Sequence, residues 1–380
     1  MGRTGPHPVT ALPEGKSVNN KFLRLGSIAA VAIVGSVVLS SCAANEGNAP
    51  VDTPSTLAGQ IDGAGSSAQG SAQEAWIAAF QIANPDVTIT YDPSGSGAGR
   101  EAFIAGGVAF AGTDSTLKDE EIAGGFAGCV PDTGYIEVPN YISPIAVIFN
   151  VEGVDELNLD AATLAGIFKG TITSWDDAAI AALNPDASLP AAAITAVHRS
   201  DDSGTTKNFT DYLNKVAPEV WDAPAADPFP YTVGEGAQGT SGVVDAVTNG
   251  TNTIGYADAS KAADLGVAKL KVGDEFVAYT AEAAAAVVGE SPAVEGRIAT
   301  DLAIKIDRGT TDPSHYPLVL VSYILACTEY TEAGTGELVK AYVSYLVSEE
   351  GQAEAAASAG SAPLSADLAA KAAAAIATIK

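Results

Sequence analysis

Cysteine, histidine and positive charge are all scarce in this chain. Three of its 380 residues are cysteine and three are histidine (His7, His198, His315), and no Cys-x-x-Cys pair occurs. A structural or catalytic zinc site therefore has few of its usual ligands to draw on, and no metal is expected. Lys and Arg number 19 against 46 Asp and Glu, a formal net charge of -27. That balance speaks against nucleic acid as a partner, because phosphate backbones are met by basic patches. No Gly-x-x-x-x-Gly-Lys-Ser/Thr loop occurs, and Gly95-Ser96-Gly97-Ala98-Gly99 lacks the spacing of a dinucleotide fingerprint. No Gly-x-Ser-x-Gly nucleophile elbow occurs either.

Long apolar runs are missing too, with one exception. Leu25 to Leu39 is apolar, follows the basic residues Lys16, Lys21 and Arg24, and ends at Leu39-Ser40-Ser41-Cys42. At about 15 residues it is short for a membrane span and suits a signal peptide. The ending resembles a bacterial lipobox, in which cleavage precedes a cysteine that then carries lipid. Residues 1–41 are thus expected to be a lipoprotein signal peptide, with Cys42 as the anchor holding the chain to the outer face of the membrane. Residues 42–56, rich in Ala, Asn, Pro, Ser and Thr, read as a flexible linker. The leader carries Arg3, Lys16, Lys21 and Arg24 against Glu14, a net +3, so the remainder carries -30.

The remaining residues, about 320, suffice for two domains. Strand, Gly/Ser turn and helix recur in that order. Thr56 to Ile61 leads through Gly63-Ala64-Gly65-Ser66-Ser67 to a helix from Ser71 to Ala83. Val87 to Tyr91 leads through Ser94 to Gly99 to a helix with Phe103 and Ile104, and Val108 to Ala111 ends at Gly112-Thr113-Asp114-Ser115. A fourth Gly-rich turn, Gly234 to Thr240, precedes a helix from Ser241 to Thr248. Such alternation predicts an α/β fold with mainly parallel sheets and ligands at the carboxyl ends of strands. Cys129 and Cys327 form an even pair in an exported chain; they read as a disulfide or as two buried thiols.

The most informative stretch is Ala196 to Phe209. A short apolar strand, Ala191 to Val197, gives way to His198-Arg199-Ser200-Asp201-Asp202-Ser203-Gly204-Thr205-Thr206, then to a helix to Val216 with Phe209, Leu213 and Val216 inward. Ser203 sits at the N-cap position. The first helix amides lack internal partners and carry the positive end of the dipole, so the turn can hold an anion. Arg199 offers a planar donor fork suited to two oxyanion oxygens, and Asp201 is placed to orient it. The plain alternative is a capped surface helix beside a solvated Arg–Asp pair. His198, Asp201 and Ser203 on one short turn make a poor triad, which needs three groups converging from different elements.

Asp114 reads either as a turn residue or as something more selective. A carboxylate aimed at an oxyanion repels it unless the anion still has a proton to donate. Near neutral pH phosphate has one and sulfate does not, so one acceptor among donors selects phosphate.

Taken together these segments, with Trp175-Asp176-Asp177 and Leu183-Asn184-Pro185, resemble the phosphate-binding lipoproteins of bacterial phosphate ABC importers, from about Leu57 to the C-terminus. The resemblance implies a type II periplasmic-binding-protein fold, two α/β lobes with the ligand cleft between them. With crossovers near Ile142 and His315, lobe I would be 57–142 and 316–380 and lobe II 143–315. It implies that Ser67, Ala68 and Ser96 donate from lobe I, that Asp114 accepts the phosphate proton, and that Arg199, Ser203, Gly204 and Thr205 donate from lobe II, with Asp201 supporting Arg199. Alanine at 68 keeps the amide but not the aromatic wall frequent in the family. The resemblance further implies a monomer that binds inorganic phosphate without cofactor or catalysis and delivers it to the importer's membrane permease. Receptors of the same fold for sulfate or molybdate, and a secreted phosphoester hydrolase, are the competing readings.

Overall fold

A computed structural model describes residues 55–262 and 265–380; the expected leader, Cys42 and most of the linker lie outside the described residues. In chain order the elements begin with β1 (Gly59–Gly65), α1 (Gly70–Ala83), β2 (Val87–Asp92), α2 (Ser96–Ile104), β3 (Phe110–Thr113), α3 (Asp119–Gly124) and β4 (Tyr135–Asn150). There follow β5 (Asn158–Leu159), α4 (Ala161–Lys169), α5 (Ala178–Leu183), β6 (Thr195–Arg199), α6 (Gly204–Val216), β7 (Glu235–Ala237), α7 (Gly239–Asn249) and β8 (Thr253–Asp258). The chain closes with β9 (Gly266–Val267), β10 (Lys269–Val272), β11 (Glu275–Val277), α8 (Ala281–Glu290), β12 (Val319–Cys327), α9 (Thr335–Val347), α10 (Glu349–Ala359) and α11 (Ala366–Ile376).

The main sheet has the order β2-β1-β3-β12-β4-β8-β6-β7, with β9 added to β4. Its flanks are parallel, as the strand–turn–helix repeats predict: β1 with β2 and β3, β6 with β7 and β8. Its middle is not. β12 runs antiparallel to both β3 and β4, and β4 runs antiparallel to β8. The expectation of mainly parallel sheets fails there because β4 and β12 are not reached by βα crossovers from their neighbours.

β4 is a 16-residue strand, buried along its whole length except at Asn150. Such a near-continuous apolar run is what burial of both faces demands. Only its second half, Ile145 to Phe149, reads as a buried strand from sequence, because Pro139 and Pro144 break the pattern. Residues 135–144 pair with β12, and Ile145 to Asn150 pair with β8. Opposite Ser322 and Tyr323 the register slips: their partners are Tyr141 and Pro139, so Asn140 is an extra residue. A proline that cannot donate to the ladder and an inserted residue together make a β-bulge, which bends strands and re-aims side chains.

The helices largely follow their periodicity. Asp160 caps α4 through the amide of Thr163, and Gly170 ends it in the left-handed conformation. On α6 Phe209 and Leu213 are fully buried, but Val216 is 39% exposed, because the helix ends there and the chain turns away. α10 escaped the sequence reading; its alanines and glutamates give no clear apolar stripe. Cys129 and Cys327 are bonded to each other, with Cα atoms 5.2 Å apart and a separation of 198 positions in sequence.

Two outcomes follow. A Cys129→Ser, Cys327→Ser variant should lose about 2–5 kcal/mol in urea unfolding, since the crosslink constrains a long loop of the unfolded chain. Asp258 ends β8 opposite Ile145, where β4 changes partner. It takes hydrogen bonds from Tyr141 Oη at 3.0 Å and Ser260 N at 2.9 Å, and burial pushes its carboxyl from 3.8 up to about 6. The folded state then holds a proton that the unfolded state has lost between those values. Asp258 thus adds a fall in stability as pH rises through that window, at most ~1.4 kcal/mol per pH unit. Asp258→Asn should remove that slope when unfolding is compared with wild type across pH 4.5 to 6.5; an unchanged slope would show that the carboxyl does not titrate there.

Candidate oxyanion-binding site

The carboxyl ends of β1, β3 and β6 carry the residues singled out from sequence. α6 starts as its sequence demands: Ser203 Oγ accepts from Thr206 N at 3.2 Å. The amides of Gly204 and Thr205 are then first-turn donors without helical partners. α2 starts at Ser96, whose hydroxyl accepts from Asp114 N at 3.1 Å. The two helix starts touch. Gly97 N donates to Asp202 O at 2.9 Å. A Cβ on Gly204 would lie 2.6 Å from Ser96 Oγ and 2.7 Å from Asp114 Cβ, and one on Gly95 would strike Asp201 Oδ2. Glycine stands at these points because only bare backbone fits.

Asp114 is the centre of the group. Its side chain is enclosed, with Ser322 Oγ donating to Oδ1 and Thr205 Oγ1 3.4 Å from Oδ2. Burial raises its carboxyl pKa, and the hydroxyls of Ser322, Ser66 and Thr205 with the Arg199 charge only partly offset this. Its main chain is pinned as well, since Asn208 Nδ2 donates to Asp114 O at 2.8 Å and to Gly204 O at 2.9 Å. Arg308 Nη2 in turn donates to Asn208 Oδ1, while Arg308 Nη1 holds Pro317 O at 2.8 Å.

Arg199, at the end of β6, is 2% exposed. Asp201 grips it with Oδ1 2.8 Å from Nε and Oδ2 2.5 Å from Nη2. Burial works against the Asp201 charge, but Arg199 and the amide of Gly239, 3.0 Å away, hold its carboxyl below the ordinary range. Gly239 opens α7, so a third helix start adjoins the arginine. Its neighbour Thr240 meets Ser67: Thr240 N donates to Ser67 Oγ at 3.0 Å, and the two hydroxyls are 3.0 Å apart.

Ser96, Gly204 and Thr205 thus all adjoin Asp114, Ser203 caps the helix that presents Gly204 and Thr205, and Arg199 lies within electrostatic reach of Asp114. Ser67 lies farther along, against Thr240. The Ala68 amide is engaged by Ser66 Oγ at 3.1 Å. Three contributors went unread in the sequence. Ser322 is a hydroxyl inside the apolar run Leu318 to Ala326, an irregularity that could have marked it. Ser66 and Asn208 give no such signal, since each sits beside a residue already assigned a role.

His198 stacks on Phe229, ring centroids 4.0 Å apart, and Ser203 Oγ is taken up by the helix cap. These contacts point the two side chains to different tasks, so the hydrolase constellation is not assembled. Gly234 to Gly239 has the spacing Gly-x-Gly-x-x-Gly, but β7 runs through it instead of preceding it. It therefore lacks the strand–turn–helix setting that a dinucleotide loop requires.

Comparison with known proteins supplies the family. Residues 50–350 match the model of a PBP superfamily domain. The phosphate-binding protein PstS3 of Mycobacterium bovis (strain BCG / Pasteur 1173P2) is 34% identical over 338 residues, covering 85% of this chain and 90% of the relative. PstS 2 of Mycobacterium tuberculosis (strain ATCC 25618 / H37Rv) is 32% identical with the same coverage. Among solved structures, a high-affinity periplasmic phosphate-binding protein, PfluDING, bound with phosphate, aligns with a TM-score of 0.67 at 21% identity, over 82% of this chain and 92% of that one. A phosphate ABC transporter substrate-binding protein from Clostridium perfringens, described as putative and bound to phosphate, aligns with a TM-score of 0.56 at 22% identity, over 79% and 98%. The solved structures establish the type II periplasmic-binding-protein fold, and by the sequence relatives this chain belongs to the PstS family of the PBP superfamily.

Proposed function

We propose that this chain captures inorganic phosphate outside the cytoplasm and delivers it to the permease of an ABC importer. The observation that carries the reading is the setting of Asp114: one buried carboxyl facing hydroxyls, a helix start and a guanidinium. A ring of donors alone accepts any tetrahedral oxyanion. A single acceptor in that ring demands a proton on the ligand, which phosphate has and sulfate lacks.

In this reading Arg199, with the amides and hydroxyls of Ser203, Gly204 and Thr205, neutralises the anion through short charge-assisted hydrogen bonds. Ser96 adds a donor from the other side, and Ser67 and Ala68 contribute if the turn around 66–68 is released from Thr240 and Ser66. Asp201 keeps the guanidinium planar to the ligand. Residues 57–142 with 316–380 form one lobe and 143–315 the other. The change of partner on β4 between Pro144 and Ile145 supports that division. Hinge closure would exchange the ligand's water for fixed donors. Lipid on Cys42 would hold a monomeric receptor near its permease, with residues 42–56 as the leash.

Binding without chemistry fits the site, because the hydroxyls of Ser322 and Thr205 meet Asp114 as its donors, and His198 and Ser203 are engaged in a ring stack and a helix cap. A purified sample that hydrolysed a phosphomonoester would contradict this.

Titration calorimetry tests the assignment. Wild type should bind phosphate and discriminate strongly against sulfate. Arg199→Ala should weaken phosphate binding by about 100-fold or more, the cost of losing hydrogen bonds to a charged group. Affinity like wild type would take Arg199 out of the site. Asp114→Asn should bring sulfate affinity closer to that for phosphate, because an amide offers a donor where the carboxyl offered only an acceptor. Selectivity left intact in that variant would end the proton-sensing role.

A further inference from the structure

We infer that Arg100 and Asp227 form a clasp across the ligand site, an ion pair made only when the binding turns come together, and that it governs how fast phosphate leaves. The inference rests on the receptor reading above. Arg100 lies one turn along α2 from Ser96. Its Nη2 is 2.8 Å from Asp227 Oδ2, and both side chains are 3% exposed. Asp227 sits in the loop between α6 and β7. Its other carboxylate oxygen accepts from Ser115 Oγ, on the residue after Asp114. Its backbone carbonyl accepts from Ser203 N, the cap of α6, at 3.1 Å. One residue thus ties together the start of α6, the end of β3 and helix α2.

The two partners belong to opposite sides of the proposed division. Arg100 is fixed on its own side by Thr113 Oγ1 at 3.2 Å and Glu121 Oε1 at 3.1 Å. Asp227 arrives from the other side. Burying two charges costs desolvation, and the pair returns that cost only while both are held in good geometry with further hydrogen bonds. Separation of the turns would rehydrate both. The pair therefore contributes to the closed arrangement and not to an open one, which places its effect on escape of the ligand and not on its arrival. Burial disfavours the Asp227 charge, but Arg100, Ser115 and Lys207 outweigh it and hold the carboxyl below its ordinary range, so the clasp stays charged at neutral pH. Neither residue need touch the ligand; both are positioning residues.

Asp227→Asn is the direct test, being nearly isosteric and still able to accept from Ser115. Stopped-flow measurements on the whole protein with inorganic phosphate should show release about 30-fold faster, equivalent to ~2 kcal/mol, with association changed by less than about twofold. Melting after enzymatic removal of phosphate should stay within about 2 °C of wild type, while the rise in melting temperature on adding phosphate shrinks. Ser115→Ala should shift release in the same direction by less, and it carries the test should the Asn variant fail to fold. Unchanged release, or a loss of ligand-free stability as large as the loss in the loaded protein, would overturn the clasp and leave the receptor reading in place. Absence of phosphate binding by wild type would instead overturn the receptor reading itself.

Discussion

Enclosing a carboxyl group in protein is costly unless its oxygens are met by donors, and Asp114 is enclosed almost completely. Much of the architecture around it can be read as a response to that constraint. Ser322 reaches it from β12, beside the bulge that Pro139 and Asn140 force on the neighbouring strand. Thr205 faces it from the first turn of α6. Ser96 and Asn208 hold its main chain, from α2 and α6. None of these partners carries a charge. The group is therefore solvated at contact by dipoles, and the more distant Arg199 charge only partly offsets its burial, so its affinity for a proton stays raised. An acceptor in that condition is useful to a ligand that brings a proton of its own.

The same logic explains how so acidic a chain can hold an anion. With a net charge of -27, the field far from the surface repels phosphate. That field is screened within about 8–10 Å at physiological salt, whereas dipoles and a guanidinium at contact distance act through protein of low polarisability. Three helix starts, those of α2, α6 and α7, lie beside Arg199 and Asp114. Asp201 offsets the arginine's charge while fixing its orientation, so the site relies on geometry more than on net positive charge.

Sequence carried the site further than it carried the sheet. The Gly/Ser turns, the cap at Ser203 and the Arg199–Asp201 pair are local: each is decided by a few adjacent residues whose conformational preferences leave few options. The placement of Ser96, Asp114 and Gly204 together followed from that layout. What could not be read was whatever depended on distant pairing. The antiparallel core of the sheet came out as parallel, because nothing in β4 or β12 announces its neighbour's direction. Asp227 lies in a segment that looks ordinary until the fold brings it within reach of Arg100, and the hydroxyl of Ser322 in its apolar run gives no hint that its partner is Asp114. Ala68 is the reverse case, a residue carried over by resemblance alone, whose amide here donates to Ser66 Oγ.

β4 and β12 raise one further point about how the site and the rest of the chain are coupled. β4 passes from one half of the sheet to the other without interruption, changing partner at Pro144 and Ile145. β12 lies against its first half and supplies Ser322. Arg308 grips the carbonyls of Pro317 and Val319 at the entry to β12 and also the side chain of Asn208 on α6. On the two-lobed reading, Ser322 and Asp114 lie in the same lobe while Thr205 and Asn208 reach Asp114 from the other, so a movement of α6 would alter those two contacts and be felt through Arg308 at the entry to β12. On that reading the contacts that closure would make at Asp114 are those of α6, so the enclosure of the carboxyl and the approach of the two lobes would share the hydrogen bonds of Thr205 and Asn208.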